Sequence, residues 1–173
     1  MVRTTPGEPA LLYLVRHADA DIRGPGADDH LRPLSQVGQA RAGLLADLLR
    51  PSAAGRIVSS PYVRCVQTVE PLATRRRRPV VLSDALAEGA SIDEILRLLR
   101  HLPGGSVACT HGDVLGELAR GLDTVDDRVG SISFDKGGFW VVLRDGDGLS
   151  LIEQWRAPSG SVENDRVMMY GRG

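Results

Sequence analysis

Cysteine is scarce in this 173-residue sequence, and Cys65 and Cys109 are the only two. That excludes a disulfide framework and a cysteine metal cluster, and it fits a reducing compartment. Neither cysteine has an arginine six residues on, since those positions hold Pro71 and Leu115, so the arrangement of a cysteine-dependent phosphatase is absent. A phosphate-cradling Gly-Lys-Ser/Thr loop is missing too: the one lysine, Lys136, precedes Gly137 and supplies no such motif. No apolar stretch approaches membrane-spanning length, and Met1 to Ala10 lacks the basic-then-apolar pattern of a secretion signal. The expectation is a cytoplasmic protein without membrane contact. A formal net charge of −1 argues against bulk attraction to a nucleic acid polymer, so any anion site must be local. With lysine nearly absent, the basic residues are arginines, whose forked guanidinium suits phosphate oxygens, although codon usage leaves the same mark.

What is present is of globular composition, with 42% hydrophobic and 25% charged residues in a chain of single-domain size. Residues 1–156 are expected to form that domain. Residues 157–173 read as a polar tail whose apolar Val167-Met168-Met169-Tyr170 patch is either disordered or docked. The centre of the chain is Leu11-Leu12-Tyr13-Leu14-Val15-Arg16-His17, an apolar run of strand length that ends in an arginine and a histidine. Polar groups at the C-terminal end of a buried strand stand where open α/β sheets bind ligands.

A long Gly-, Pro- and Asp-rich loop follows from Ala18 to Pro33, with Ala27-Asp28-Asp29-His30 inside it. Ser35 caps a helix with Val37, Leu44, Leu45 and Leu48 at helical spacing, and Pro51 ends it. Arg56 to Ser59 is a second strand, and Ser60-Pro61 reads as an N-cap and first helical residue, which places Arg64 in the first turn of a helix through Val66, Val69 and Ala73. The run Arg75 to Arg78 reads as a solvated loop before the strand Val80 to Leu82. Glu88 sits in the next loop, ahead of a Ser91/Glu94 capping box and a helix through Ile95 and Leu99. Ser106 to Thr110 is a fourth strand that again ends in a histidine, His111, with a helix through Val114 and Leu118 after it. Gly138 to Leu143 and Leu149 to Trp155 form a terminal hairpin around Asp145-Gly146-Asp147-Gly148.

Strands alternating with helices predict an α/β fold: a mainly parallel open sheet flanked by helices on both faces, whose loops converge at one edge. Arg16, His17, Arg64, Glu88 and His111 all fall in such loops or helix starts. Two histidines, two arginines and a carboxylate suit phosphoryl transfer, in which an imidazole attacks phosphorus while cations hold its oxygens. No metal or cofactor is required, and His17, His30 and His111 offer no compact helical ligand pair.

Four pieces, Leu14 to Ala18, Leu34 to Ala40, Ser59 to Thr68 and Thr110 to Asp113, resemble in order the motifs of the histidine phosphatase superfamily, which includes the phosphoglycerate mutases. The resemblance implies a phosphoglycerate mutase-like fold and His17 as the nucleophile that becomes phosphohistidine. It makes Arg16, Arg64 and His111 the phosphate-binding residues and Glu88 the proton donor. Ala18 stands where a glycine is common, and the segment after it lacks the mutase pattern, so mutase activity is not expected. His17-Ala18-Asp19-Ala20 in a short chain looks most like the SixA-type phosphohistidine phosphatases. Tyr62 to Thr68 and Ala85 to Gly89 are similar to the phosphatase domain that follows a Nudix domain in some MutT-type hydrolases, although no Nudix motif is present here. The substrate expected is a small phosphorylated metabolite or nucleotide, bound by loops near Asp19, Glu88 and Lys136. A phosphohistidine protein and a non-catalytic phospho-ligand module remain as alternatives, and sequence leaves the oligomeric state open.

Overall fold

The computed structural model describes residues 9–120, 122–124 and 131–157, so all but the first residue of the expected tail lies outside the described residues. The parallel core of the sheet is β1 (Ala10–Arg16), β2 (Ile57–Ser59), β3 (Val80–Leu82) and β4 (Val107–Thr110), in the order β3-β2-β4-β1. Next to β1 runs the antiparallel pair β6 (Phe139–Asp145) and β7 (Gly148–Trp155), and beyond them a two-residue strand β5 (Asp123–Thr124) pairs parallel with β7. The terminal hairpin forms as the sequence predicts, with Gly146 at a φ of 55° in its turn. β5 carries no sequence signal of its own.

Helices cover both faces, which is why β1 is an unbroken apolar run. Tyr13 and Val15 point to the side of α1 (Gln36–Leu49) and α2 (Val63–Arg76), packing with Leu45, Leu49, Val69 and Leu72. Leu12 and Leu14 point the other way, joining Ile95 and Leu99 of α3 (Ile92–His101) and Val114 and Leu118 of α4 (Gly112–Ala119). The period of two continues in β4, where Val107 and Cys109 face one layer and Ala108 the other.

The caps at Ser35 and at Ser91/Glu94 form as expected. The start of α2 does not. Its N-cap is Tyr62, and the Ser60 hydroxyl instead lies 2.8 Å from His111 Nε2. The buried face of α1 also differs from the hydrophobic spacing: Val37 is exposed, and the helix buries Gly38, Ala42, Leu45, Ala46 and Leu49. Small residues decide that face because the backbone of the loop after β1 passes directly beneath it. The Arg75 to Arg78 run is largely exposed, but three of its guanidiniums are engaged: Arg75 with Asp47 (2.6 Å), Arg76 with the Arg50 carbonyl (2.9 Å) and Arg78 with the Gly55 carbonyl (3.1 Å).

The two interior glycines of α1 give a test. A Cβ on Gly38 would stand 2.0 Å from the Asp19 carbonyl oxygen, whereas one on Gly43 meets nothing within 4 Å. Denaturant unfolding should therefore show Gly38→Ala destabilising by about 1–3 kcal/mol from overpacking. Gly43→Ala should stabilise by about 0.5–1 kcal/mol from lost backbone entropy. Equal effects at the two positions would contradict this packing.

Candidate active site

The register of two parallel strands builds the site. Arg16 in β1 is paired with Thr110 in β4, and the His17 amide donates to the Thr110 carbonyl (3.0 Å), so the residues that follow the two strand ends become neighbours. Their rings, His17 and His111, meet edge to face with centroids 5.3 Å apart.

His17 is buried, and its Nδ1 lies 2.7 Å from the Ala18 carbonyl. A carbonyl only accepts, so Nδ1 carries the proton and Nε2 holds a lone pair. On that side the Nε of Arg64 approaches to 3.3 Å as a donor. Burial pushes the imidazole down to a pKa of about 3, helped by the charges of His111, Arg64 and Arg16 and opposed by the Ala18 hydrogen bond. The ring is neutral at physiological pH.

Arg64 has no exposure to solvent. Its Nη1 donates to the Asp29 carbonyl (2.8 Å) and lies 2.9 Å from the Asp29 carboxylate, while Nη2 donates to Glu88 Oε1 (2.6 Å) and sits 3.3 Å from His111 Nδ1. Burial works against the Asp29 charge, but Arg64 and Arg32 outweigh it and hold the carboxyl below its usual range. Glu88 Oε1 also lies 3.2 Å from His111 Nδ1. Thr68, one turn on, fixes the backbone around both groups by donating to the Arg64 carbonyl (2.7 Å) and accepting from the Ala18 amide (3.0 Å).

Arg16 donates through Nη1 to the Phe134 carbonyl, and among the described residues its Nε is buried with no partner. An unanswered buried donor is costly, and it lies beside the cleft where an anionic oxygen would satisfy it. Gly112 makes room: a Cβ there would come within 2.9 Å of Arg16 Cζ. Arg16, His17 and Glu88 line a cleft of about 670 Å³ together with Arg32, Asp113 and Lys136.

All five residues singled out in the sequence thus converge, with Arg64 and His111 buried beside His17. Three others were not singled out. Asp29 answers Arg64, Ser60 holds His111, and Tyr62 is sandwiched between His30 (stacked, 4.0 Å) and the edge of His111 (4.7 Å). Asp29 and His30 lie in the Asp-rich loop that composition had marked; Ser60 carried only a capping signal. Of the loops expected near the substrate, those of Glu88 and Lys136 line the cleft, while the Asp19 carboxylate is paired with Arg41 (2.6 Å). Among the described residues, no three His, Cys, Asp or Glu side chains are grouped to hold a metal ion, and no helix is long and apolar enough to cross a membrane.

The depressed pKa of His17 has a consequence for stability. Between its unfolded value near 6.5 and its folded value of about 3, the unfolded chain binds a proton that the folded chain refuses, so this group's contribution falls as pH drops through that window. Chemical unfolding at a series of pH values should give a slope for His17→Asn that is shallower than wild type between about pH 6 and 4, by up to about 1.4 kcal/mol per pH unit. Parallel slopes would show that His17 is not held neutral.

The model of the histidine phosphatase superfamily (branch 1) matches residues 12–91. An 8-oxo-(d)GTP phosphatase of Mycolicibacterium smegmatis is 31% identical over 152 residues; the match covers 82% of this chain and 47% of that protein, so this chain spans about half the length of that curated relative. The structure of a protein of Agrobacterium tumefaciens assigned as the phosphohistidine phosphatase SixA superposes with a TM-score of 0.73 at 26% identity, covering 88% of this chain and 100% of the other. SixA complexed with tungstate shares the fold, with a TM-score of 0.70 at 20% identity over 89% of this chain and 98% of that one. The motifs in order, the two histidines on adjacent strands and these matches agree: residues 12–91 carry the sequence pattern of the histidine phosphatase superfamily, on a fold shared with SixA.

Proposed function

We propose that the chain removes a phosphoryl group from a small phosphorylated metabolite or nucleotide through a covalent intermediate on His17, without a metal ion. The observation that carries this reading is the state of His17: a buried neutral imidazole with its proton on Nδ1 and its Nε2 lone pair directed to the guanidinium that would hold the phosphoryl oxygens. In the first step Nε2 attacks phosphorus, an N–P bond forms, and the bond to the leaving oxygen breaks. Arg16, Arg64 and His111 gain strength as charge builds on the equatorial oxygens. Glu88 gives its proton to the leaving oxygen. In the second step water, losing a proton to Glu88, attacks phosphorus, the N–P bond breaks, and inorganic phosphate leaves with His17 restored.

The preference for a nucleotide or other small molecule draws support from the 31% identity to an 8-oxo-(d)GTP phosphatase. A second reading, a phosphohistidine protein as substrate, is favoured by the likeness to SixA over that protein's whole length. The leaving group separates their demands on Glu88, since a leaving imidazole or phenolate needs a proton less than an alkoxide does.

A single rapid-quench experiment with a labelled phosphate donor tests the mechanism. Wild type should trap base-stable, acid-labile label on His17 with chelator present, and His17→Ala should trap none and turn over nothing. With Glu88→Gln, alkyl phosphates should lose far more rate than aryl phosphates. Turnover by His17→Ala, or activity that vanishes with chelator and returns with a divalent ion, would overturn the proposal.

A further inference from the structure

Among the described residues, the charged groups around the cleft each find a partner in the protein, Arg16 through Nη1 but not Nε, with one exception. Arg32 is paired with Asp29 (2.9 Å), Glu88 is held by Arg64 and His111, and the Asp113 carboxylate accepts the Gly89 amide (3.1 Å). Lys136 lines the same cleft, and among the described residues its ammonium makes no hydrogen bond or ion pair. It is also the only lysine in the chain.

Its backbone is fixed. Asp135 to Gly138 form a tight turn closed by the Gly138 amide on the Asp135 carbonyl (2.9 Å), with Gly137 at a φ of 75° in the third position. That turn is bolted to the nucleophile's own strand end. The Gly137 amide donates to the Arg16 carbonyl (3.1 Å) and the His17 carbonyl (3.2 Å), and the Arg16 amide donates to the Gly138 carbonyl (3.1 Å). A cation on a rigid turn, held against His17 and given no carboxylate, is preorganised for an anion that arrives with the substrate.

We propose that Lys136 is a specificity residue that grips a second phosphate of the substrate, next to the one held at His17, and so directs the enzyme toward phosphoanhydrides such as nucleoside diphosphates rather than monoesters. This rests on the function proposed above. His17, Arg16, Arg64 and His111 suffice for one phosphoryl group, which leaves the ammonium to the neighbouring phosphate as a compact point charge. The leaving group of such an anhydride is itself a phosphate and needs little protonation from Glu88.

The test is the ratio of kcat/KM for a nucleoside diphosphate to kcat/KM for the same nucleoside's monophosphate. In Lys136→Ala this ratio should fall by about tenfold, the usual worth of a charge-assisted contact, mainly through KM. Lys136→Arg should restore it to within about threefold of wild type, because the charge is retained. A fall of less than about threefold in Lys136→Ala, on that same scale of contact strength, or a loss that Lys136→Arg does not recover, would overturn the inference. Label on His17 in wild type, together with an unchanged ratio in the variant, would reject the Lys136 role alone. Wild type that forms no label on His17 would reject the underlying mechanism.

Discussion

A guanidinium fully removed from water is destabilising unless its N–H groups are answered, and Arg64 is the residue on which this site depends. Its Nε faces the His17 imidazole, one terminal nitrogen takes the Asp29 carbonyl and carboxylate, and the other takes Glu88 and His111. Every group in that list is therefore placed by the same cation. The arrangement also explains the chemistry proposed: burial, helped by the neighbouring positive charges, keeps the His17 ring deprotonated, and the Arg64 guanidinium is already in position for phosphoryl oxygens.

The sheet makes such a cluster possible. Parallel pairing of β1, β2, β3 and β4 sends their C-terminal ends to one edge, and the Arg16/Thr110 register sets the two histidines side by side without any long loop. The close fit around them relies on missing side chains. Gly38 lets α1 lie on the Asp19 backbone, and Gly112 lets the N-terminus of α4 lie against Arg16. The same edge gains its rim from the antiparallel side, where the turn before β6 is hydrogen-bonded to Arg16 and His17.

The alternation of elements was legible in the sequence because each strand of the parallel core is short, apolar and followed by a helix signal. The convergence of Arg16, His17, Arg64, Glu88 and His111 followed from it, since residues just past parallel strands share an edge. What stayed hidden has specific causes. Ser-Pro is a strong local signal for a cap at Ser60, but the fold gives the Ser60 hydroxyl to His111 and starts the helix after Tyr62. Hydrophobic spacing puts Val37 on the inward face of α1, where the fold places Gly38, because such spacing does not register a glycine needed for close approach. Asp29 lay in a segment whose composition marked a functional loop, but nothing local says that its partner is Arg64, thirty-five positions on.

The claim at the centre is that His17 rests as a neutral imidazole with its proton on Nδ1 and its lone pair on Nε2. Nitrogen-15 spectra of the histidine side chains, assigned by comparison with His17→Asn and followed from neutral to acidic pH, read this directly. The His17 signals should remain those of the neutral, Nδ1-protonated tautomer until the approach to a pKa of about 3. A His17 that titrates near the ordinary imidazole value of about 6.5, or that carries its proton on Nε2 at neutral pH, would contradict the account.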